Sequence, residues 1–287
     1  RMSDVAAQIP PEHRALAERI VSEHAGDVPA PRGGAASGDR MALGTDARAQ
    51  LDVIFEEKVP VFVGALGSPG WLMDDARAAG TVVMSVVGNV KQARQVAADG
   101  ADVVIAQGTE GGGHTGHVGT MALLPQVLDA VSPVPVVAAG GIGDGRGLAA
   151  SLVMGCQGVW VGTRFLATEE AGIAGWMKAN IVAAADQTPI ISRAYTGKRF
   201  RMLPNAWTEA WEAAPIEPLP MPLQPVLVAQ TMGQMAGAGA APALAQNGAG
   251  NIAGLISDVM PAADVVRSMA EDALACLDHW GARTSVT

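Results

Sequence analysis

Five short apolar runs that alternate with helical segments constrain the fold of this chain more than any other feature. The runs are nearly continuous rather than alternating, which is typical of strands covered on both faces, as in parallel sheets. Strand–helix pairs that recur every ~20 to 33 residues predict βαβ units with right-handed crossovers. This pattern alone fits both an open doubly wound sheet and a closed barrel. The runs cover residues 59–66, 81–87, 101–106, 134–139 and 158–165, and the helical segments between them cover 71–79, 90–98, 121–131 and 145–154.

Outside this repeat the chain is predicted to be mainly helical. Residues 11–25 and 45–57 carry helical patterns, and the Gly/Ala/Pro-rich stretch between them, 26–38, is predicted as a flexible loop. After Thr168 the repeat stops. We therefore divide the chain into a (β/α) domain, residues 1–170, and a mostly helical cap, residues 171–287, whose final helix packs on the first domain.

Two segments of the cap bear on this division. Residues 169–190 and 262–280 are predicted as helices. The Gly/Ala stretch 233–254 is predicted either as a flexible linker or as an ordered loop that touches a ligand.

Charge and composition argue against several classes of function. The chain has 287 residues, of which 49% are hydrophobic and 16% charged, so it can bury a large core. A net charge of −9 without a basic stripe argues against nucleic-acid binding. No apolar run reaches the ~18 residues that a membrane span needs, and Arg1 to Pro10 are too polar for a signal peptide. We therefore predict a cytoplasmic protein that binds neither nucleic acid nor membrane, and its two cysteines are predicted as buried thiols.

The segment from Gln107 to His117 directly follows the third apolar run and reads Gln-Gly-Thr-Glu-Gly-Gly-Gly-His-Thr-Gly-His. Ligands of parallel α/β folds bind at the carboxyl ends of strands, and three consecutive glycines let a flat ligand lie against bare backbone. His114 is a candidate acid–base group because the pKa of free imidazole lies near neutrality. The alternative is a histidine that only hydrogen-bonds a loop. No third ligand lies at a metal-type spacing from His114 and His117, so we predict no metal site.

Two further glycine-rich strand ends follow the fourth and fifth runs. Gly140-Gly141 precede a helix but do not fit a Rossmann Gly-x-Gly-x-x-Gly motif, and no Walker lysine follows them. Gly162-Thr163 offer main-chain N–H groups and a hydroxyl. Because the two ends lie on consecutive strands, they match the phosphate site of a (β/α)8 barrel rather than an open sheet. The alternative for each is an ordinary strand-to-helix turn.

Together these three segments resemble the nitronate monooxygenase family, formerly called 2-nitropropane dioxygenases, and the same pattern is shared with flavin-dependent enoyl-thioester reductases. The resemblance extends from about Val59 to Thr168. It implies a TIM barrel with an added helical domain that binds FMN non-covalently. It also implies that His114 is catalytic and that the flavin is bound by Gln107, Gly112, Gly113, Gly140, Gly141, Trp160, Gly162 and Thr163. Ser85 and Lys91 are weaker candidates.

Two departures from the family pattern affect these expectations. Five strand–helix units are visible, whereas a barrel has eight, so we expect about three N-terminal strands to be missing from the sequence. Family members also often carry a Gly-Gln pair before the closing helix. Its nearest matches here are Gly233-Gln234 and Gly250-Asn251.

The resemblance leaves three functional hypotheses. The first is oxidative denitrification of alkyl nitronates or nitroalkanes with O₂, in which His114 orients the nitro group or abstracts the α-proton. The second is NAD(P)H-dependent reduction of an enoyl-CoA or enoyl-ACP, and the third is a non-catalytic binding fragment. The expected partners are a small-molecule substrate and O₂, and the Gly/Ala-rich C-terminal surface is compatible with a homodimer.

Overall fold

The computed structural model describes residues 2–24, 47–232 and 242–284. The predicted loop 26–38 and the Gly233-Gln234 pair lie outside the described residues. The helices are α1 (Met2–Ala6), α2 (Pro11–His24), α3 (Ala47–Glu56), α4 (Met73–Ala79), α5 (Val90–Ala98), α6 (Thr120–Val131), α7 (Gly145–Val153), α8 (Thr163–Leu166), α9 (Gly175–Val182), α10 (Ala206–Glu212), α11 (Leu223–Met232) and α12 (Ala262–Thr284). The strands are β1 (Val61–Ala65), β2 (Val82–Val87), β3 (Val103–Gln107), β4 (Gly113–His114), β5 (Val136–Ala139), β6 (Gly158–Trp160), β7 (Ile190–Ser192) and β8 (Phe200–Met202).

The five apolar runs form one parallel sheet in the order β1-β2-β3-β5-β6. Each strand therefore pairs with the next strand of the repeat, and the order never reverses as it does in a doubly wound sheet. This sequential order is that of a (β/α) barrel. The chain has an α/β fold of the TIM-barrel type with an added helical region, and within the described ranges β1 and β6 form the two edges of the sheet.

The main core lies between this sheet and the helices that cross over it. Strands β3 and β5 are buried on both faces, which explains why their sequences are continuous apolar runs rather than alternating ones. Helix α6 turns one apolar face towards them, and the C-terminal helix α12 adds two side chains to the same core. Its buried members include Val104, Ala106, Leu123, Leu124, Val127, Val136, Ala138, Val265 and Met269.

A second core joins the N-terminal helix α2 to α10 and α11. Leu16, Ala17 and Ile20 of α2 are buried against Trp207 and Leu227. The N-terminus of α10 is fixed by a capping box, in which the Asn205 side chain accepts from the Thr208 N–H. Helix α2 thus packs on the predicted cap although it precedes the barrel strands in sequence, and the division of the chain at residue 170 stays a prediction.

A small antiparallel sheet connects the barrel to the helical region, and the sequence pattern did not predict it. Its strand order is β4-β8-β7, so the two-residue strand Gly113–His114 pairs with Phe200–Met202. The strands β7 and β8 lie in the segment predicted as mostly helical. Two boundaries also differ from the prediction. The α-helix within 169–190 is the shorter α9, which covers Gly175–Val182. Strand β6 ends at Trp160 and is followed by the short helix α8, whereas the strand was predicted to continue towards Phe165. None of the helices in the described part of the chain is both long and apolar enough to cross a membrane.

The close packing of α7 on α12 depends on the absence of a side chain at Gly145. A Cβ there would lie 2.4 Å from Asp272 Cβ and 2.5 Å from Ala273 N. Gly145→Ala is therefore expected to lower the free energy of unfolding by about 1–3 kcal/mol, since one helix must move away from the other. Chemical denaturation followed by far-UV circular dichroism measures this change.

The matched control is Gly175→Ala, because Gly175 is also the first residue of a helix and a Cβ there meets no atom within 4 Å. It should leave the unfolding free energy within ~1 kcal/mol of the parent protein or raise it slightly. Equal destabilisation by the two variants would contradict the packing argument.

Candidate active site

A cavity of about 290 Å³ lies at the carboxyl ends of β3, β5 and β6. This volume is close to the lower end of the ~300–1,000 Å³ range of small-molecule sites. The structure brings all eight predicted cofactor-binding residues together in its wall. The lining residues are Gln107, Glu110, Gly111, Gly112, Gly113, Ala139, Gly140, Gly141, Ile142, Trp160, Gly162, Thr163, Leu166, Gly248, Gly250 and Ile252.

The two glycine-rich strand ends that line this cavity carry glycine for different physical reasons. Gly140 and Gly141 have φ values of +83° and +73°, a left-handed backbone that non-glycine residues rarely adopt. A Cβ on Gly140 would also lie 2.8 Å from Gly108 O. Gly162, by contrast, has no atom within 4 Å of the position of a Cβ, so the wall there is open main chain.

The loop after β3 is held by main-chain contact with residues 248–250. A Cβ on Gly112 would lie 2.8 Å from Ala249 C, and a Cβ on Gly250 would lie 2.7 Å from Glu110 O. The N–H of Gly250 donates to Thr163 Oγ1 at 2.9 Å. Gly112 therefore needs to be glycine for loop packing, in addition to its place in the cavity wall. Of the two candidate glycine pairs, Gly250-Asn251 is the one within the described residues, and Gly250 lines the cavity.

Glu110 places a carboxylate in the cavity wall, and its charge is compensated by the start of α6. Its two oxygens accept from Thr120 N at 3.0 Å, and Oε2 also accepts from Thr120 Oγ1 at 2.9 Å. A carboxylate at a helix N-terminus is favourable because the helix dipole is positive there. The wall can therefore contain Glu110 without presenting an uncompensated negative charge to a ligand.

His114 does not itself line the cavity but follows the lining residue Gly113 on β4. Its Nε2 lies 3.0 Å from Thr196 Oγ1, and its ring packs edge-on against Phe200 with centroids 5.1 Å apart. The ring is half-buried. Burial, and to a smaller extent the positive charge of Lys198, lowers the pKa of His114 from its ordinary value. The imidazole is therefore neutral at pH 7 and able to accept a proton.

Of the remaining candidate residues, Gln107 and Trp160 line the cavity, whereas Ser85 and Lys91 do not. The side chain of Gln107 donates to His114 O at 2.8 Å, so it fixes the strand that carries the histidine as well as lining the cavity. Trp160 lines the cavity at the end of β6 and is 45% exposed. Ser85 is buried with its hydroxyl unpartnered within the described residues, and Lys91 is exposed in the first turn of α5; neither lines the cavity. No group of three or more His, Cys, Asp or Glu side chains suited to a metal ion occurs in the described ranges.

Several residues of the site carried no sequence signal strong enough to select them. Glu110, Gly248 and Ile252 complete the cavity wall, and Thr196 and Phe200 fix the ring of His114. Glu110 could have been found from its place between two glycines of the predicted loop. Thr196 and Phe200 lie more than eighty residues from His114 in sequence, and only the pairing of β4 with β8 brings them to it.

The lining of the cavity offers the groups that a flat cofactor with a phosphate needs. Gly140, Gly141, Gly162 and Thr163 offer main chain and a hydroxyl at two adjacent strand ends, which is how barrels bind phosphate. The open main chain at Gly162 leaves space that a side chain would fill. Most of the rest of the wall is glycine with the apolar Ile142, Leu166 and Ile252, which suits a flat ring, and Gln107 and Glu110 add polar groups to it.

The chain matches the family model described as nitronate monooxygenase over residues 31–272. The chain belongs to the nitronate monooxygenase family. Its structure is similar to that of a nitroalkane oxidase from Streptomyces ansochromogenes, with a TM-score of 0.75 and 29% identity over 98% of this chain and 80% of that one. It is also similar to FabK from Thermotoga maritima, with a TM-score of 0.75 and 31% identity over 85% of this chain and 77% of that one. The chain therefore shares its fold with both proteins over most of its length.

Two curated relatives align with shorter parts of the chain. A protein of Mycobacterium tuberculosis named as a monooxygenase is 43% identical over 229 residues, which are 77% of this chain and 61% of the relative. A (3aS,4S,5R,7aS)-5-hydroxy-7a-methyl-1-oxo-octahydro-1H-indene-4-carboxyl-CoA dehydrogenase of Rhodococcus jostii is 48% identical over 159 residues, which are 55% of this chain and 45% of the relative. The chain thus spans about half to three fifths of the length of these relatives.

The charge of Lys198 should be measurable as a shift in the titration of His114. Lys198→Gln removes a nearby positive charge that disfavours the imidazolium ion, so it is expected to raise the pKa of His114. NMR titration of the histidine ring protons, with His114→Asn to assign the resonance, measures the change. Lys178→Gln is the matched control, because the Lys178 ammonium donates to Thr168 O and Glu169 O and is not among the charges that act on His114. An unchanged His114 midpoint in Lys198→Gln would show that burial alone sets the pKa.

Proposed function

We propose that this chain belongs to an FMN-dependent oxidoreductase whose cofactor binds in the cavity at the ends of β3, β5 and β6. The observation that carries the proposal is the meeting of Gly140-Gly141 and Gly162-Thr163 in one cavity wall, next to the strand that bears His114. Gly140, Gly141, Gly162 and Thr163 would hold the phosphate, together with Trp160 beside them. Gln107, Gly112 and Gly113 would contact the ring system.

The protein and the cofactor have separate tasks in this proposal. When bound, FMN supplies the electron-accepting chemistry that amino-acid side chains lack. His114 supplies a neutral imidazole, which accepts the α-proton of a neutral nitroalkane: the C–H bond breaks, its electron pair stays on the substrate as the nitronate, and the proton binds to the ring. Once protonated, the same ring can donate a hydrogen bond to an oxygen of a nitronate substrate.

Oxidative denitrification of alkyl nitronates, with O₂ as co-substrate, is the reaction that this site supports best. The family match favours it, as does the similarity to a nitroalkane oxidase. Lys198 adds a positive charge near His114, which suits an anionic nitronate. Nitronates are small enough for a cavity of about 290 Å³ that must also accept part of a flavin.

Redox chemistry on a CoA thioester is the second candidate. The relative of Rhodococcus jostii that is named as a CoA-thioester dehydrogenase is 48% identical to this chain over 159 residues, a higher identity than that of the monooxygenase relative. An NAD(P)H-dependent enoyl reductase belongs to the same class. Anaerobic mixing with NADPH separates the candidates: rapid loss of flavin absorbance favours the reductase, and its absence together with turnover of propionate 3-nitronate favours the monooxygenase.

The cofactor site can be tested without any substrate. Gly162→Val fills the open wall of the cavity and should weaken FMN binding at least tenfold, equivalent to ~1.4 kcal/mol. Titration of the purified protein with FMN, followed by quenching of flavin fluorescence, measures the dissociation constant.

Gly158→Val is the matched control, because Gly158 begins β6, the strand that Gly162 follows, has no atom within 4 Å of a Cβ, and does not line the cavity. It should bind FMN like the parent protein. Equal FMN affinity in the two variants would mean that the phosphate site does not lie at the end of β6. A parent protein that binds no added FMN would favour the non-catalytic fragment.

The role of His114 is tested by His114→Asn, which keeps a polar group of similar size but removes the proton acceptor. Turnover of a neutral nitroalkane should fall by about 10²–10⁴-fold while FMN remains bound. Oxygen consumption and nitrite release measure turnover, and the flavin spectrum reports the bound cofactor. Unchanged turnover would exclude His114 as the base.

A further inference from the structure

The ring of His114 is held at one of its two nitrogens by a loop from the helical region. Nε2 lies 3.0 Å from Thr196 Oγ1, and Thr196 belongs to the turn that joins β7 to β8. Nδ1 has no hydrogen-bond partner within the described residues, and these residues do not bury it completely. The two nitrogens of the proposed base therefore have different surroundings, and among the described residues only Nε2 has a hydrogen-bond partner.

The contacts of the Thr196 hydroxyl favour one position of the ring proton over the other. A hydroxyl has one proton to donate and two lone pairs that accept. Thr196 Oγ1 donates to Lys198 O at 3.3 Å and accepts from Lys198 N at 3.3 Å. The second lone pair of this oxygen is then free to accept a hydrogen bond, and the neighbouring atom that can donate one is His114 Nε2, as Nε2–H.

The opposite assignment leaves an atom without its partner. If Thr196 donated its proton to Nε2, the carbonyl of Lys198 would lose the donor that it has in the turn. The assignment with Nε2–H satisfies all three contacts of the hydroxyl at once. We infer that Thr196 is the positioning residue of His114, which holds the ring as the Nε2–H tautomer and leaves Nδ1 as the nitrogen that accepts the substrate proton.

Phe200 completes this arrangement by fixing the plane of the ring. The two rings are nearly perpendicular, at 84°, and the Phe200 ring also lies 3.4 Å from the Cβ position of Gly248 in the cavity wall. Thr196 thus sets which nitrogen faces the substrate, and Phe200 sets the direction in which it faces. This inference rests on the proposed role of His114 as a base.

The test measures the tautomer directly and does not depend on turnover. Long-range ¹H–¹⁵N NMR of the protein with labelled histidine should show His114 as the Nε2–H tautomer at pH above its titration midpoint. Thr196→Val has nearly the same shape but no hydroxyl, and it should lower the ratio of Nε2–H to Nδ1–H by about 2- to 10-fold. Thr196→Ser should keep the parent ratio. Thr231→Val is the control, since among the described residues the Thr231 hydroxyl donates to Leu227 O of its own helix and has no contact with His114.

Two substrates then separate positioning from a general loss of structure. A neutral nitroalkane must lose a proton, whereas its preformed nitronate has already lost it. Thr196→Val should therefore lower turnover of the nitroalkane by about tenfold and change turnover of the nitronate by less than twofold. Loss of both activities would indicate a structural role and overturn the inference, as would a parent ring in the Nδ1–H form or an unchanged tautomer ratio in Thr196→Val.

The role of His114 as the base and the role of Thr196 as its positioning residue can be disproved separately. If His114→Asn leaves nitroalkane turnover unchanged, the proposed base is wrong whatever the tautomer. If His114→Asn lowers turnover but Thr196→Val changes neither the tautomer nor the substrate preference, the proposed function stands and Thr196 is not the positioning residue.

Discussion

The site depends on the close contact of three main-chain segments that carry no side chains where they meet. The loop after β3 lies between the end of β5 and residues 248–250. A Cβ at Gly140, Gly112 or Gly250 would lie within 2.8 Å of the neighbouring main chain. Distances of that kind cannot be accommodated without moving backbone, because protein interiors are close-packed. The position of the loop after β3, and of the strand that carries His114, therefore depends on these glycines.

This contact also explains why residues distant in sequence act on one histidine. Once the loop is fixed, its last two residues form β4 and pair with β8 from the helical region. The pairing brings Phe200 beside His114 and the Thr196 turn to its Nε2. Phe200 reaches from the histidine to Gly248, so His114 and the cavity share one neighbour. The helical region is thus part of the site and does not only cover it.

Sequence reasoning succeeded where a local pattern reflects a local cause. Continuous apolar runs predict buried parallel strands, and paired glycines at consecutive strand ends predict main chain around a ligand; all five strands and the shared cavity are found in the structure. It missed β4, β7 and β8 because strands of two or three residues have no periodicity of their own. It could not select Thr196, since a threonine in a turn is ordinary until tertiary pairing places an imidazole 3.0 Å away. The need for glycine at Gly112 was attributed to a ligand, whereas the atoms that would clash belong to Ala249 and Gly250.

The local charge of the site differs from that of the whole chain, and this difference makes an anionic ligand compatible with an acidic protein. The net charge is −9, yet residues 187–208 contain four basic residues and no acidic one. Arg201 among them is buried, and its Nε donates to Thr109 O, next to the Glu110 carboxylate that the start of α6 compensates. The negative charges that give the chain its low pI are therefore not the charges that lie nearest to His114, where Lys198 contributes a positive one. Net charge is informative about association with polyanions, but the electrostatics of a cavity are set by the few groups within a Debye length of ~8 Å.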